Sequence, residues 1–209
     1  MLFKSDEHIL HLLLILLSLT LLTLPLALLF NLNSEGAHLQ LFLHNPQSIY
    51  RLIGVKIVFC LLLSFVYVGV VVLLYTFFTL FYPKQIPIFS LMIMSFYSVV
   101  ISIYPAMILL FLWTLHQIWR TYIGMISILF VILTLFSGSL LFNWIEGTNF
   151  YTRLFEWGNI FTPANITTEN DAFTFTYAPM YTGTFLLNGM VSVMLYVISC
   201  YLMDKKVEV

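Results

Sequence analysis

The sequence predicts an all-α polytopic membrane protein, one transmembrane domain over residues 1–209 with about five spanning helices. Three observations predict it. Of the 209 residues 61% are hydrophobic and only 8% are charged, against roughly a quarter charged in a soluble domain. The mean hydropathy is +1.01. The few charges are also segregated, with none between Glu7 and Glu35, Lys56 and Lys84, Lys84 and Arg120, Arg120 and Glu146, or Asp171 and Asp204. No aqueous fold of this length buries so much apolar surface, so the solvent is lipid.

Each uncharged window defines a span. A charge at a helix centre costs about 2.5–3.5 kcal/mol on insertion scales, and ~20 residues cross ~30 Å of hydrocarbon. The windows place helices at 9–30, 57–82, 86–115, 122–144 and 182–203. The first is too long for a signal-peptide core and lacks a small-residue cleavage site, so it stays as a span. The second and third exceed the bilayer and must tilt, bend or protrude. Pro25 and Pro105 are expected kink points. "YPKQIP" (82–87) and "HQIWRTY" (116–122) read as short turns between antiparallel neighbours.

Lys and Arg near the span ends set the orientation. With the C-terminus in the cytoplasm, Arg51, Lys56, Arg120, Lys205 and Lys206 lie inside and Lys4, Lys84 and Arg153 outside. The expected location is the cell membrane, with the N-terminus outside, segment 33–56 cytoplasmic and segment 145–181 outside.

Segment 33–56, "NSEGAHLQLFLHNPQSIYRLIGVK", is far longer than a turn requires. Ser34 suits an N-cap and Glu35 suits the positive end of a helix dipole. Leu39, Phe42 and Leu43 then share one helical face, with Gln40 and His44 opposite and Ala37 and Leu41 off the main stripe. Asn45 and Pro46 restart the chain as cap and first residue of a helix that runs through Tyr50 and Arg51 into the second span. Two readings fit this short helix. It can lie at the headgroups with Arg51 and Lys56 snorkelling. Alternatively, pinned by its stripe, it offers Ala37 and Leu41 to a soluble partner.

In the outer segment, Phe150, Leu154, Trp157 and Phe161 recur at i, i+4, i+7 and i+11, opposite Arg153, Glu156 and Asn159. That spacing predicts an amphipathic helix with aromatic residues at interfacial depth. The "NIT" triplet at Asn165 fits a glycosylation sequon but is too short a pattern to carry a reading.

Composition excludes several function classes. A balance of 8 Lys+Arg against 9 Asp+Glu leaves no basic footprint for nucleic acid. Cys60 and Cys200 each sit in an apolar run and read as small buried hydrophobes. The spans hold no Asp, Glu, Lys or Arg, the groups that intramembrane chemistry needs. Ser137 and Ser139 in "SGS" approach one surface while His116 sits near the other, too far apart for a dyad. His8 and His11 could share a metal by spacing, but a lone pair at a membrane edge is more often interfacial. His38 and His44 are most simply solvated. We therefore expect no catalytic residue, metal or bound cofactor. No G-x-x-x-x-G-K-[ST] is present, so any ATP hydrolysis belongs to another polypeptide.

The stretch "SEGAHLQLFLHNPQSIYRLIGVKIV" resembles the cytoplasmic segment of type-two ABC exporter permeases, in particular the small permeases of Gram-positive peptide exporters. In that family an acidic residue and a glycine precede a short apolar coupling helix. A proline turn follows, then a basic residue just before the next span. Glu35, Gly36, Leu39 to Leu43, Pro46 and Lys56 occupy those places. The resemblance implies an ATPase-docking set of Glu35, Gly36, Ala37, Leu39, Leu41, Phe42, Leu43 and His44. It also implies an outer gate in which Phe150, Leu154, Trp157 and Phe161 dip back into the outer leaflet. Implied partners are separate ATP-binding subunits carrying ATP and Mg, a second permease subunit (the same chain or a sister), membrane lipid, and a cargo. The family has six spans and this sequence carries five. Uncharged walls suit a hydrophobic or amphipathic cargo, and the resemblance implies a peptide. The competing reading is a stand-alone immunity protein that sequesters a membrane-active peptide without an ATPase.

Overall fold

A computed structural model describes residues 3–36, 48–81, 88–161, 165–167, 174–176 and 180–206. Helices dominate: α1 (Phe3–Gly36), α2 (Ile49–Phe81), α3 (Ile88–Ile123), α4 (Ser127–Glu146), α5 (Asn149–Phe155) and α6 (Thr182–Lys206). Three helical stretches are long and apolar enough to cross a membrane, at Ile49–Phe78, Met92–Glu146 and Thr182–Lys205, with a shorter apolar run at Ser18–Ser34. This is the architecture of an α-helical membrane protein. Segment 145–181 departs from the all-α expectation. It holds β1 (Asn159–Phe161) paired antiparallel with β4 (Met180–Tyr181), and β2 (Asn165–Thr167) with β3 (Thr174–Thr176).

Small residues share the buried helix faces with large apolar ones. On α3 the buried positions Ser95, Val99, Ser102, Ala106, Leu110, Trp113 and Gln117 recur every three or four residues. Thr20, Leu24, Leu28 and Leu32 do so on α1, and Ile49, Ile53, Lys56, Cys60 and Ser64 on α2. In lipid, helices gain nothing by hiding leucine from its surroundings, so close approach through Ser, Ala and Gly matters more. Several buried hydroxyls are satisfied on their own helices. Ser64 Oγ donates to Cys60 O, Ser98 to Met94 O, Ser102 to Val99 O, Thr114 Oγ1 to Leu110 O and Ser199 to Leu195 O. That matters because an unpaired polar group costs several kcal/mol in hydrocarbon.

The main core joins α1, α2, α3 and α6 through Leu24, Leu28, Leu32, Ile53, Leu110 and Met203. The free thiols Cys60 and Cys200 are buried in it, as expected of small hydrophobes. Farther along α2, Val72 and Tyr75 pack with Leu16, and Tyr67 OH donates to Leu16 O at 3.2 Å. Helices α1 and α2 are therefore antiparallel.

Helix boundaries differ from the uncharged windows in an orderly way. Helix α1 runs on past the first window to Gly36, and α3 past the third to Ile123. Both continue through their prolines, Pro25 and Pro105. Residues 116–122, expected as a turn, are helical. The reversal comes at Gly124–Ile126, where Gly124 takes φ +60°, a conformation cheap only for glycine. Helix α4 then folds back on α3. Trp119 and Phe130 meet with ring centroids 5.7 Å apart, and Ser127 Oγ lies 2.9 Å from His116 Nδ1. His116 thus finds a serine, but it is Ser127, fully buried at the hairpin. Ser137 and Ser139 donate to Thr134 O and Phe136 O of their own helix.

Of α4 only Ser127 is buried. Its 20 residues span ~30 Å at ~1.5 Å per residue, a full hydrocarbon thickness. Leu129, Ile132, Leu133, Phe136, Leu140 and Trp144 all face outward, which water would not tolerate on a monomer and lipid does.

Candidate functional site

Two ends of the bundle carry the sequence-predicted sites. At one end α1 stops and α2 starts, and the residues expected to form the docking helix begin at the end of α1. Ser34 does not cap a new helix there. Its Oγ donates to Asn31 O at 2.8 Å, and Ser34, Glu35 and Gly36 form the last turn of α1. The physical reason is that extending an existing helix adds a hydrogen bond per residue, whereas restarting one needs a costly nucleus. Ala37, Leu39, Leu41, Phe42, Leu43, His44, Asn45 and Pro46 lie outside the described residues.

Helix α2 opens with Arg51 N and Leu52 N donating to Ser48 O, then continues unbroken through Tyr50 and Arg51 into the membrane stretch. The continuous extension matches the expectation. Lys56 does not snorkel. It is only 9% exposed, on the buried stripe between Ile53 and Cys60, whereas Arg51 is exposed. Positions 49, 53, 56 and 60 are one helical face, so the packing that buries Ile53 carries Lys56 in with it.

A second helix grips this opening turn. Tyr196 OH on α6 donates to Tyr50 O at 2.6 Å, and the two rings meet edge to face, 6.4 Å between centroids. Gly54 makes room, since a Cβ there would stand 3.2 Å from Tyr196 OH. The first two turns of α2 are thereby bound to α6, which is itself anchored in the core by Cys200 and Met203. Nothing in the sequence marks this pair, because Tyr50 and Tyr196 are 146 residues apart. Tyr196→Phe is expected to cost about 1 kcal/mol, the worth of one membrane hydrogen bond. Thermal unfolding in detergent measures it, and an unchanged midpoint would show that the bond carries no stability.

The other end holds the segment that begins at residue 145. The predicted helix over Phe150–Phe161 ends at Phe155, with Thr148 as its N-cap and Glu156 as its C-cap. Gly158 then turns at φ +68° and Phe161 lies in β1, paired with Met180. Phe161 is therefore not on the helix. Phe150, Leu154 and Trp157 do remain exposed, as an interfacial stripe requires, and Trp157 Nε1 donates to Leu154 O.

What breaks the helix is the start of α6. Thr182 N and Oγ1 both donate to Gly158 O at 2.8 Å, Gly183 N to Trp157 O and Thr184 Oγ1 to Phe155 O. These bonds fill the donors that a helix N-terminus leaves unpaired. They require backbone contact, so a Cβ on Gly183 would collide with Phe155 O. Sequence periodicity finds only the exposed side of α5. The side against the bundle is Tyr151, 2% exposed, with Phe142 and Phe155 around its ring. Burial pushes the Tyr151 phenol above its usual pKa, and Glu146 and Glu156 push the same way against an opposing Thr184 hydroxyl. Thr184 stands close but not in bonding geometry, and Tyr151 OH has no hydrogen-bond partner among the described residues.

Among the described residues there is no group of His, Cys, Asp and Glu that could hold a metal. No protein family, curated protein or solved structure matches this chain.

Proposed function

We propose that this chain is the membrane subunit of an ATP-driven exporter, similar to type-two ABC permeases, which docks a separate ATPase through residues 34–44. What supports the reading is the resemblance of the segment "SEGAHLQLFLHNPQSIYRLIGVK", which starts in the last turn of α1 and ends in the first turns of α2. Binding of α2's first turns to α6 supports it, because a push on that segment would reach two membrane helices at once. Helices α1, α2, α3, α4 and α6 serve as five spans, with the N-terminus outside and Arg51, Arg120 and Lys205 at the cytoplasmic face. A second permease subunit, identical or a sister, completes the pathway. ATP and Mg stay on the ATPase. The corner of Phe150, Leu154 and Trp157 at the head of α6 acts as the outer gate. The cargo is hydrophobic or amphipathic, such as a membrane-active peptide.

The test is capture of candidate ATPases on the tagged, membrane-inserted chain. Glu35→Lys combined with Leu41→Asp is expected to abolish capture, a drop of at least about tenfold, or ~1.4 kcal/mol, with insertion unchanged. Capture that persists would remove the docking role. Protection of cells from a membrane-active peptide after deletion of every candidate ATPase would instead favour sequestration.

A further inference from the structure

Between α2, α3 and α6 the bundle leaves a cleft that the packing does not close. It consists of two cavities of about 250 and 90 Å³ that share Ile103 and Ser192 and so form one slot. We propose that this slot binds one straight alkyl chain of an amphiphile whose hydrogen-bonding polar end lies at Tyr104 and Asn188. This goes beyond the exporter reading and does not depend on ATPase docking.

Shape selects the occupant. The slot runs along α6 from Phe185 to Tyr196, on the order of 16 Å at ~1.5 Å per residue. Its volume over that length leaves a width of a few ångströms. A helix of a second copy, about 10–12 Å across with its side chains, can lie over such a groove but not enter it, whereas an extended hydrocarbon chain can enter it. Gly189 keeps the slot open, since a Cβ there would meet nothing within 4 Å.

Polarity gives the chain a direction. The larger cavity is walled by Gly54, Ile57, Ile103, Met107 and Val193. Its hydroxyls are already committed, Ser192 Oγ to Asn188 O at 2.7 Å and Tyr196 OH to Tyr50 O. At the other end the Tyr104 hydroxyl and the Asn188 carboxamide make no hydrogen bond among the described residues. Tyr104 also lies within electrostatic reach of Tyr151, whose hydroxyl is buried and unpartnered, and of Glu146, where α4 ends. Polar groups left open beside hydrocarbon are costly, and the head of an amphiphile satisfies them while its tail fills the slot.

The test uses the full chain in phosphatidylcholine nanodiscs with palmitate carrying a diazirine in the half of its chain nearest the carboxylate. Label is expected to concentrate on Ile103 and Met107, and Gly189→Leu or Ser192→Leu is expected to reduce it about tenfold. On the unaltered chain, excess unlabelled palmitate should suppress labelling and an equal excess of a rigid sterol should not, which keeps the test decisive if a variant fails to fold. A two-chain diazirine phosphatidylcholine separates the sources. Label at Ile103 and Met107 from this probe as well assigns the site to bilayer lipid, and from palmitate alone to a free single-chain amphiphile. Label spread evenly over α4 and the other lipid-facing helices, or indifferent to filling of the slot and to competitor, would overturn the proposal.

Discussion

Leu110→Ala is expected to destabilise the protein by about 2–5 kcal/mol, the range for emptying a fully buried leucine site. Leu110 is 0% exposed on α3, in the cluster that joins Leu24, Leu28 and Leu32 of α1 to Cys200 and Met203 of α6. In lipid the loss does not come from water reaching the site, because the unfolded reference is also apolar. It comes from the many dispersion contacts that one leucine makes and a cavity does not. The neighbours cannot move in to compensate, since Ala106, one turn earlier, already holds the helices close. Leu129→Ala is the control. Leu129 is 66% exposed on α4, and its change should stay within about 0.5 kcal/mol. Denaturation in mixed micelles compares the two. Equal losses would mean that the four-helix core is wrongly placed.

Gly183→Ala should have the second large effect, about 1–3 kcal/mol or more, concentrated at the outer corner. A clash with a flexible side chain could be relieved by a rotamer change. Here the atom in the way is the backbone oxygen of Phe155. Helix α5 would have to back away from α6, breaking the donations of Gly183 N to Trp157 O and Thr184 Oγ1 to Phe155 O. Tyr151 would then reach water, so its phenol should titrate at lower pH than before, the reverse of the upward push of burial. Trypsin cleavage at Arg153 and ultraviolet titration of tyrosine follow the two consequences. A corner as resistant to trypsin as the parent would refute the contact. Global stability should fall less than in Leu110→Ala, because α5 is short and contributes only Tyr151 among its residues to the buried set.

Reading along the chain succeeded where one physical quantity dominates. Absence of charge marks helices that can lie in lipid, and α2, α3, α4 and α6 each contain most of an uncharged window. It failed at helix ends, because polarity alone does not stop a helix. Asn31, Asn33 and Ser34 stay helical in α1, as do His116, Gln117 and Arg120 in α3, until Gly124 supplies a conformation that reverses the chain. It failed also on α5, where a regular apolar period ran past the true end. Phe161 keeps the spacing, yet the bonds that Gly158 and Trp157 accept from α6 pull the chain out of the helix. Gly158 and Gly183 were the available signal, visible in the sequence but without meaning until they face each other across the corner.

The candidate sites divide in the same way. The exposure of Phe150, Leu154 and Trp157 could be read from their local apolar spacing, although Trp157 lies past the end of α5 and Arg153 and Glu156 are exposed as well. Burial of Lys56, the Tyr196–Tyr50 bond and the pairing of His116 with Ser127 were not, since each depends on which helix lies alongside.

Taken alone, then, the sequence decided the solvent: so few charges, so spaced, suit helices in hydrocarbon. Only the folded arrangement decided which faces meet, because in lipid every helix side is nearly equally apolar. The choice among faces falls to how particular leucines, small residues and back-bonded hydroxyls fit a neighbouring helix, which the absence of charge does not reveal.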